Sequence, residues 1–292
     1  MGGKGSIIKK IKSKKLHNDW ILSMSIFPSG NLILSSQNDC ILIFDSNYNL
    51  LQHIYYYNYY EIKYVYVIDE ETFISCSGVS FYVFRKMGTE FKIYQEIRGQ
   101  KQINKVINYS SKYLISCSDD KTIKIWEEKN NKKYQTITIL SHLDCVKSFL
   151  IIEKKNILIS SGLDGTKIWN LNNFELIDFI EVKCDAKYLL SKIDEDRIII
   201  GYKSLKVISL SKKTIEDIKL PFVCYAIFIV EEKGLLFVGG QSQGALIYRT
   251  DNYECIQVIK KAHKEFINGF IQLKNGSIVS YAFDGTIAIM SF

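Results

Sequence analysis

Histidine, serine and aspartate recur together in this chain, and they are the three side chains from which a nucleophilic hydrolase builds its triad. His142, Ser160 and Asp164 form one group, His17, Ser35 and Asp39 a second, and His263, Ser280 and Asp284 a third. His142 to Asp164 and His17 to Asp39 each span 22 residues. A hydrolase needs its triad once, at one site. Three copies at equivalent positions describe a structural device, so these residues are expected to be non-catalytic and the chain not to be an enzyme. No Cys-x-x-Cys, His-x-x-x-His or Cys/His cluster suggests a metal site. Gly239, Gly240 and Gly244 fit a strand–turn–strand segment and not a phosphate loop opening a helix, so no cofactor is expected.

The elements that carry these residues repeat as well. Ser116-Cys117-Ser118-Asp119-Asp120-Lys121-Thr122-Ile123-Lys124-Ile125-Trp126 is echoed by the stretches ending at Trp169 and Met290. A bulky apolar residue closes each unit, at Phe44, Phe84, Trp126, Trp169, Ile208, Tyr248 and Met290, with spacings of 40, 42, 43, 39, 40 and 42. Alternation in Thr122–Trp126 and polar turns such as Asp-Gly mark short strands. Seven units of roughly 40 residues built from strands predict an all-β, seven-bladed propeller with four-stranded antiparallel blades, a single domain over residues 1–292. The third strand of the seventh unit runs to the last residue, Phe292. The missing outer strand is expected from residues 5–12, which would close the last blade behind a short arm at residues 1–4.

On these residues the chain resembles the WD40-repeat family over essentially its whole length. The resemblance implies a buried hydrogen-bonded set in each blade. His142, Ser160, Asp164 and Trp169 match it in the fourth unit. In the first unit His17, Ser35 and Asp39 match, with Phe44 in place of Trp. In the seventh His263, Ser280 and Asp284 match, with Met290 in place of Trp. The third unit keeps Ser116, Asp120 and Trp126, with Gly99 where His is expected. Units two, five and six lack the Asp, and the fifth and sixth are expected to be the softest. The resemblance also implies a non-enzymatic scaffold or adaptor that binds protein or peptide partners on the top face around a central channel. Trp20, Asn38, Tyr59, Tyr60, Asp119, Phe266 and Phe283 are the candidate partner-binding residues, since a few aromatic anchors usually dominate such surfaces.

Charge and cysteine usage narrow the setting. The net charge is +7, and six lysines stand within the first fifteen residues. The basic character is therefore local, and nucleic acid is not an expected partner. Seven scattered cysteines, with no leader and no long apolar run, point to a reducing, cytoplasmic location. The propeller is expected to be a monomer inside a larger complex. The alternative reading starts at the N-terminus. Met1-Gly2-Gly3-Lys4-Gly5-Ser6 fits the myristoylation pattern, which makes Gly2 the candidate lipidation site, and the lysines that follow would supply a second membrane signal.

Overall fold

Runs such as Leu32-Ile33-Leu34 and Ile198-Ile199-Ile200 are rich in β-branched and apolar residues and are bounded by polar turns, which favours buried strands. The structure, a computed structural model, describes residues 6–38, 40–55, 61–110, 112–130, 133–182 and 189–292. Among these, helix is limited to two single 3-10 turns, Glu153–Lys155 and Glu231–Lys233.

An N-terminal strand, β1 (Lys10–Lys15), precedes the first sheet, which holds β2 (Ile21–Ile26), β3 (Leu32–Ser36), β4 (Cys40–Phe44) and β5 (Leu50–Tyr55). The second holds β6 (Ile62–Val67), β7 (Thr72–Ser77), β8 (Ser80–Met87) and β9 (Glu90–Arg98). The third holds β10 (Ile103–Tyr109), β11 (Tyr113–Ser118), β12 (Thr122–Glu128) and β13 (Tyr134–Ser141). The fourth holds β14 (Val146–Ile152), β15 (Ile157–Gly162), β16 (Gly165–Asn170) and β17 (Leu176–Ile180). The fifth holds β18 (Leu189–Lys192), β19 (Arg197–Gly201), β20 (Ser204–Ser209) and β21 (Ile215–Lys219). The sixth holds β22 (Cys224–Val230), β23 (Leu235–Gly240), β24 (Ala245–Arg249) and β25 (Cys255–Ile259). In the seventh, β26 (Ile267–Gln272), β27 (Ile278–Ala282) and β28 (Thr286–Ser291) are completed by β1. These seven four-stranded antiparallel sheets are the blades of an all-β propeller. Each predicted closing residue, from Phe44 to Met290, lies buried on the third strand of its sheet.

The strands fall into two compact units, residues 25–188 and residues 1–24 with 189–292. In the first, a phenylalanine nest fills the space under β6 to β9. Phe73 stacks on Phe84 with ring centroids 4.4 Å apart, and Phe27 meets Phe91 at 5.3 Å. Cys76 and Cys117 are fully buried there as small apolar side chains. In the second, Phe237, Ile247, Ile267, Phe270 and Met290 form one core cluster that also buries Ile8.

The N-terminal strand occupies Lys10–Lys15, and not residues 5–12. It pairs antiparallel with β28, from Lys10 opposite Ser291 to Lys15 opposite Thr286. The shift has a packing cause. Ile8 is drawn into the core and Ile7 packs against it, so the ladder begins only where the Lys9 N–H donates to the Ser291 carbonyl. Gly5 lies outside the described residues.

Glutamine side chains tie neighbouring sheets together along their outer strands. Gln52 Nε2 donates to the Phe91 carbonyl and Gln52 Oε1 accepts from the Phe91 N–H, both at 2.9 Å. Gln95 treats Tyr134 the same way, at 3.4 and 3.0 Å. Gln257 does so with Ile8, at 3.2 and 2.8 Å. The three glutamines share one register, opposite Ile43, Val83 and Ile247, each the residue before a closing aromatic. A carboxamide carries one acceptor and a donor group, like a peptide unit, so it extends the ladder across a seam that the backbones are too far apart to bridge.

Candidate functional site

The unit formed by residues 1–24 and 189–292 presents an aromatic cluster at one end of its sheets. It is built from the seventh-sheet turn upward. Gly285 closes the turn between β27 and β28 at a φ of +74°, where a Cβ would also collide with the His17 carbonyl oxygen. That close approach lets the Gly285 carbonyl accept the N–H groups of Leu16 and His17, at 3.0 and 3.1 Å. The segment so anchored lays Trp20 on Phe283, stacked with centroids 4.6 Å apart. The Phe283 N–H donates to the Phe266 carbonyl at 3.1 Å. Tyr225 completes the group, 6.4 Å from both Phe266 and Phe283. Trp20 remains 42% exposed and Phe266 36% exposed.

Tyr225 was not among the residues expected here, and a β-bulge explains its position. Pairing on β22 skips from Cys224 to Ala226. The same skip falls at Lys63, Asn104, Lys147 and Asn268 on four of the other inner strands. A bulge re-aims the extra side chain. Asn268 uses that freedom to donate to the carbonyls of Ile21 and Leu22, at 3.2 and 2.7 Å. A residue with a polar group directly after the first apolar residue of an inner strand, as in Ile62-Lys63, Ile103-Asn104, Val146-Lys147, Cys224-Tyr225 and Ile267-Asn268, is the signal that could have found these positions.

In the same unit His263 joins two hydroxyls, its Nε2 2.7 Å from Ser280 Oγ and its Nδ1 2.7 Å from Thr286 Oγ1. Thr286 in turn donates its hydroxyl to Asp284, at 2.6 Å, and Asp284 accepts the Lys264 N–H at 2.7 Å. Burial pushes the His263 pKa down to about 4, against the pull of Asp284. Burial also pushes the Asp284 carboxyl up, but the donors from Thr286 and Lys264 outweigh it, and it lies below the usual range. His17 accepts the Asp19 N–H on Nδ1 at 3.0 Å.

Residues 25–188 hold the two fullest sets. His142 Nδ1 lies 2.6 Å from Asp164 Oδ1, and Nε2 lies 2.7 Å from Ser160 Oγ. Trp169 Nε1 donates to the same Ser160 oxygen at 2.8 Å. Asp164 also accepts the Leu143 N–H at 2.7 Å. One assignment satisfies every atom: a neutral His142 donates from Nδ1, and Ser160 accepts from Trp169 while donating to Nε2. Burial holds the His142 pKa down, consistent with that neutral form.

The third sheet reaches the same end with a different residue. Gly99 does not stand in for histidine; the buried neighbour Gln100 does. Gln100 Oε1 accepts from Ser116, and Nε2 donates to Thr122 Oγ1 at 2.9 Å. Trp126 Nε1 donates to Ser116 Oγ at 2.8 Å, and Asp120 accepts the Thr122 hydroxyl at 2.6 Å. Ser35 is buried, and among the described residues its hydroxyl finds no partner, in a sheet whose closing residue is Phe44.

The remaining candidate contact residues separate. Asn38 is exposed. Asp119 is half-buried; it accepts from Asn104 Nδ2 at 2.7 Å and pairs with Lys147. Gly2, Asp39, Tyr59 and Tyr60 lie outside the described residues. Among the described residues, no three His, Cys, Asp or Glu side chains are grouped so as to hold a metal ion.

Seven four-stranded sheets, two of them pinned by a buried His or Gln, Ser and Asp under a closing Trp and a third by His263, Ser280 and Asp284 under Met290, define a repeat-built β-propeller. The family pattern described as WD domain, G-beta repeat matches residues 8–45 and 91–127. Each matched segment takes in the outer strand of one sheet and the first three of the next, β1 to β4 and β9 to β12, so a single repeat stitches two blades. The chain thus carries WD40 repeats within a seven-bladed β-propeller, and WD40 propellers generally mediate protein–protein interactions.

Proposed function

We propose that this protein is a non-enzymatic interaction scaffold that binds a segment of a partner protein on the cluster of Trp20, Tyr225, Phe266 and Phe283. The observation that carries the reading is the Trp20–Phe283 stack, a preformed aromatic platform left substantially in water beside a second exposed ring. Large aromatics supply much contact area at little entropic cost, and partly exposed clusters of them mark interaction sites. Asn18, Lys264 and Glu265 stand exposed around the platform as a polar rim. A reducing, intracellular setting fits the six described cysteines, all of them free.

The test compares the intact chain with a Trp20→Ala/Phe266→Ala variant, folding verified by near-UV circular dichroism. Affinity capture from the source cell should recover defined proteins that the variant loses. Titrating the recovered segment should shift Trp20 emission, because Trp126 and Trp169 are buried. Retention of every partner by the folded variant would refute the aromatic site.

A further inference from the structure

The outer edge of the seventh sheet differs from every other outer edge in the molecule. β1 reads Lys-Ile-Lys-Ser-Lys-Lys, all six residues are exposed, and it carries four positive charges with no negative one. Of the other outer strands, β5, β13 and β25 carry no ionised side chain. β9 balances Glu90 and Glu96 with Lys92 and Arg98. β17 carries only Asp178, and β21 sets Glu216 and Asp217 against Lys219.

Lysines on an edge strand commonly guard it against pairing with another chain. In the folded protein that explanation does not account for the excess, because four of the other edges do without lysine. β5, β13, β17 and β25 expose Leu50, Leu51, Ile139, Leu176, Ile177 and Val258 and recruit no lysine. A charge excess confined to one strand asks for a ligand.

We propose that the β1 edge is a docking strip for an anionic lipid surface. Lys9, Lys10, Lys12 and Lys15 are exposed and, among the described residues, form no ion pair. At about 3.3 Å per residue the array from Lys9 to Lys15 is roughly 20 Å long. It is held at fixed spacing by the ladder to β28 and by the Gln257 grip on Ile8, so little ordering accompanies binding. Ile11, exposed between Lys10 and Lys12, supplies an apolar side chain able to enter the headgroup boundary.

The chemistry favours a diffuse surface over a discrete partner. Lysine is a point charge on a flexible stem, whereas specific recognition of a carboxylate or phosphate favours the arginine fork, and β1 has no arginine. Single-stranded nucleic acid is bound on aromatic platforms between the charges, and β1 has none. The proposal is independent of the aromatic site and of any acylation.

The full chain is produced in bacteria, so that its N-terminus carries no acyl chain. It is mixed with vesicles of phosphatidylcholine alone or with about 30% phosphatidylserine, and bound protein is measured by flotation. Each lysine near such a surface contributes about fivefold in affinity. A variant with Lys9, Lys10, Lys12 and Lys15 changed to Gln should therefore lose on the order of a hundredfold or more in partitioning. A control with Lys63, Lys101, Lys212 and Lys274 changed to Gln has the same net charge and should keep most of the binding. Thermal unfolding of both variants guards against misfolding. Four outcomes overturn the proposal: no wild-type binding to phosphatidylserine vesicles, unchanged binding by the strip variant, equal loss in the control, or tighter binding to a single-stranded oligonucleotide than to the vesicles.

Discussion

Replacing His263 with glutamine should leave the fold intact and remove a pH dependence, and the third sheet shows why. His263 joins Ser280 to Thr286, and Gln100 joins Ser116 to Thr122, so the same two partner types are already served by a carboxamide. The histidine, unlike the amide, titrates. Its unfolded pKa is near the ordinary histidine value of 6.5, and burial lowers the folded value to about 4. The unfolded chain therefore binds a proton through that interval that the folded chain refuses. Stability contributed by neutral His263 is complete above pH 6.5 and declines as the pH falls toward 4. A difference of about two and a half pH units is worth on the order of 3 kcal/mol. Urea unfolding of wild type and His263→Gln at pH 7 and pH 4 reads it, since titrating groups other than the neighbouring Asp284 act on both proteins alike. The stability gap should shift by about 3 kcal/mol in favour of the glutamine variant on acidification. Parallel declines would show that His263 is not held neutral by burial.

Three further outcomes are expected. Gln257→Leu removes both bonds to Ile8 and should cost about 1–3 kcal/mol; amide exchange should accelerate at Lys9 to Lys15 before it does elsewhere in the seventh sheet. Gly285→Ala forces a side chain into a left-handed turn and against the His17 carbonyl, so it should destabilise by more than about 1 kcal/mol and shift Trp20 emission toward that of a fully solvated indole. Trp169→Phe deletes the donor to Ser160 and should cost about 1 kcal/mol for the bond plus packing, whereas exchange in the fifth and sixth sheets, which carry no such set among the described residues, should already be fast in the wild type.

The architecture was legible because a closing apolar residue every 40 or so positions is a local signal, and so is the His142 set, whose members lie within one repeat. Gln100 was not legible as the partner of Ser116, because it preserves the hydrogen-bonding capacity of the histidine position and not its residue type. The N-terminal strand was recognisable by its isoleucines, but its register was not, since Ile7 and Ile8 are claimed by the core and by Gln257, 249 positions from Ile8. The glutamine clasps share the same obstacle: each joins strands of different repeats, and nothing within one repeat announces them. In the candidate site, Trp20, Phe266 and Phe283 were readable from their places before strands and turns. Tyr225 was not, because a bulge and not an alternation pattern turns it toward them.

The pairing of β1 with β28 also sets an order of events during synthesis. Lys15 and Thr286 are partners 271 positions apart. At ~5–20 residues per second a ribosome needs roughly 15–55 seconds to deliver the second after the first. Through that interval β1 has left the ribosome with nothing to pair with, while neighbouring sheets form one after another. A strand of alternating isoleucine and valine kept waiting so long would nucleate aggregates. Lys-Ile-Lys-Ser-Lys-Lys is repelled by its own copies on neighbouring chains and stays solvated until its partner arrives. The composition of β1 thus also suits a kinetic task, finished once the last sheet is complete.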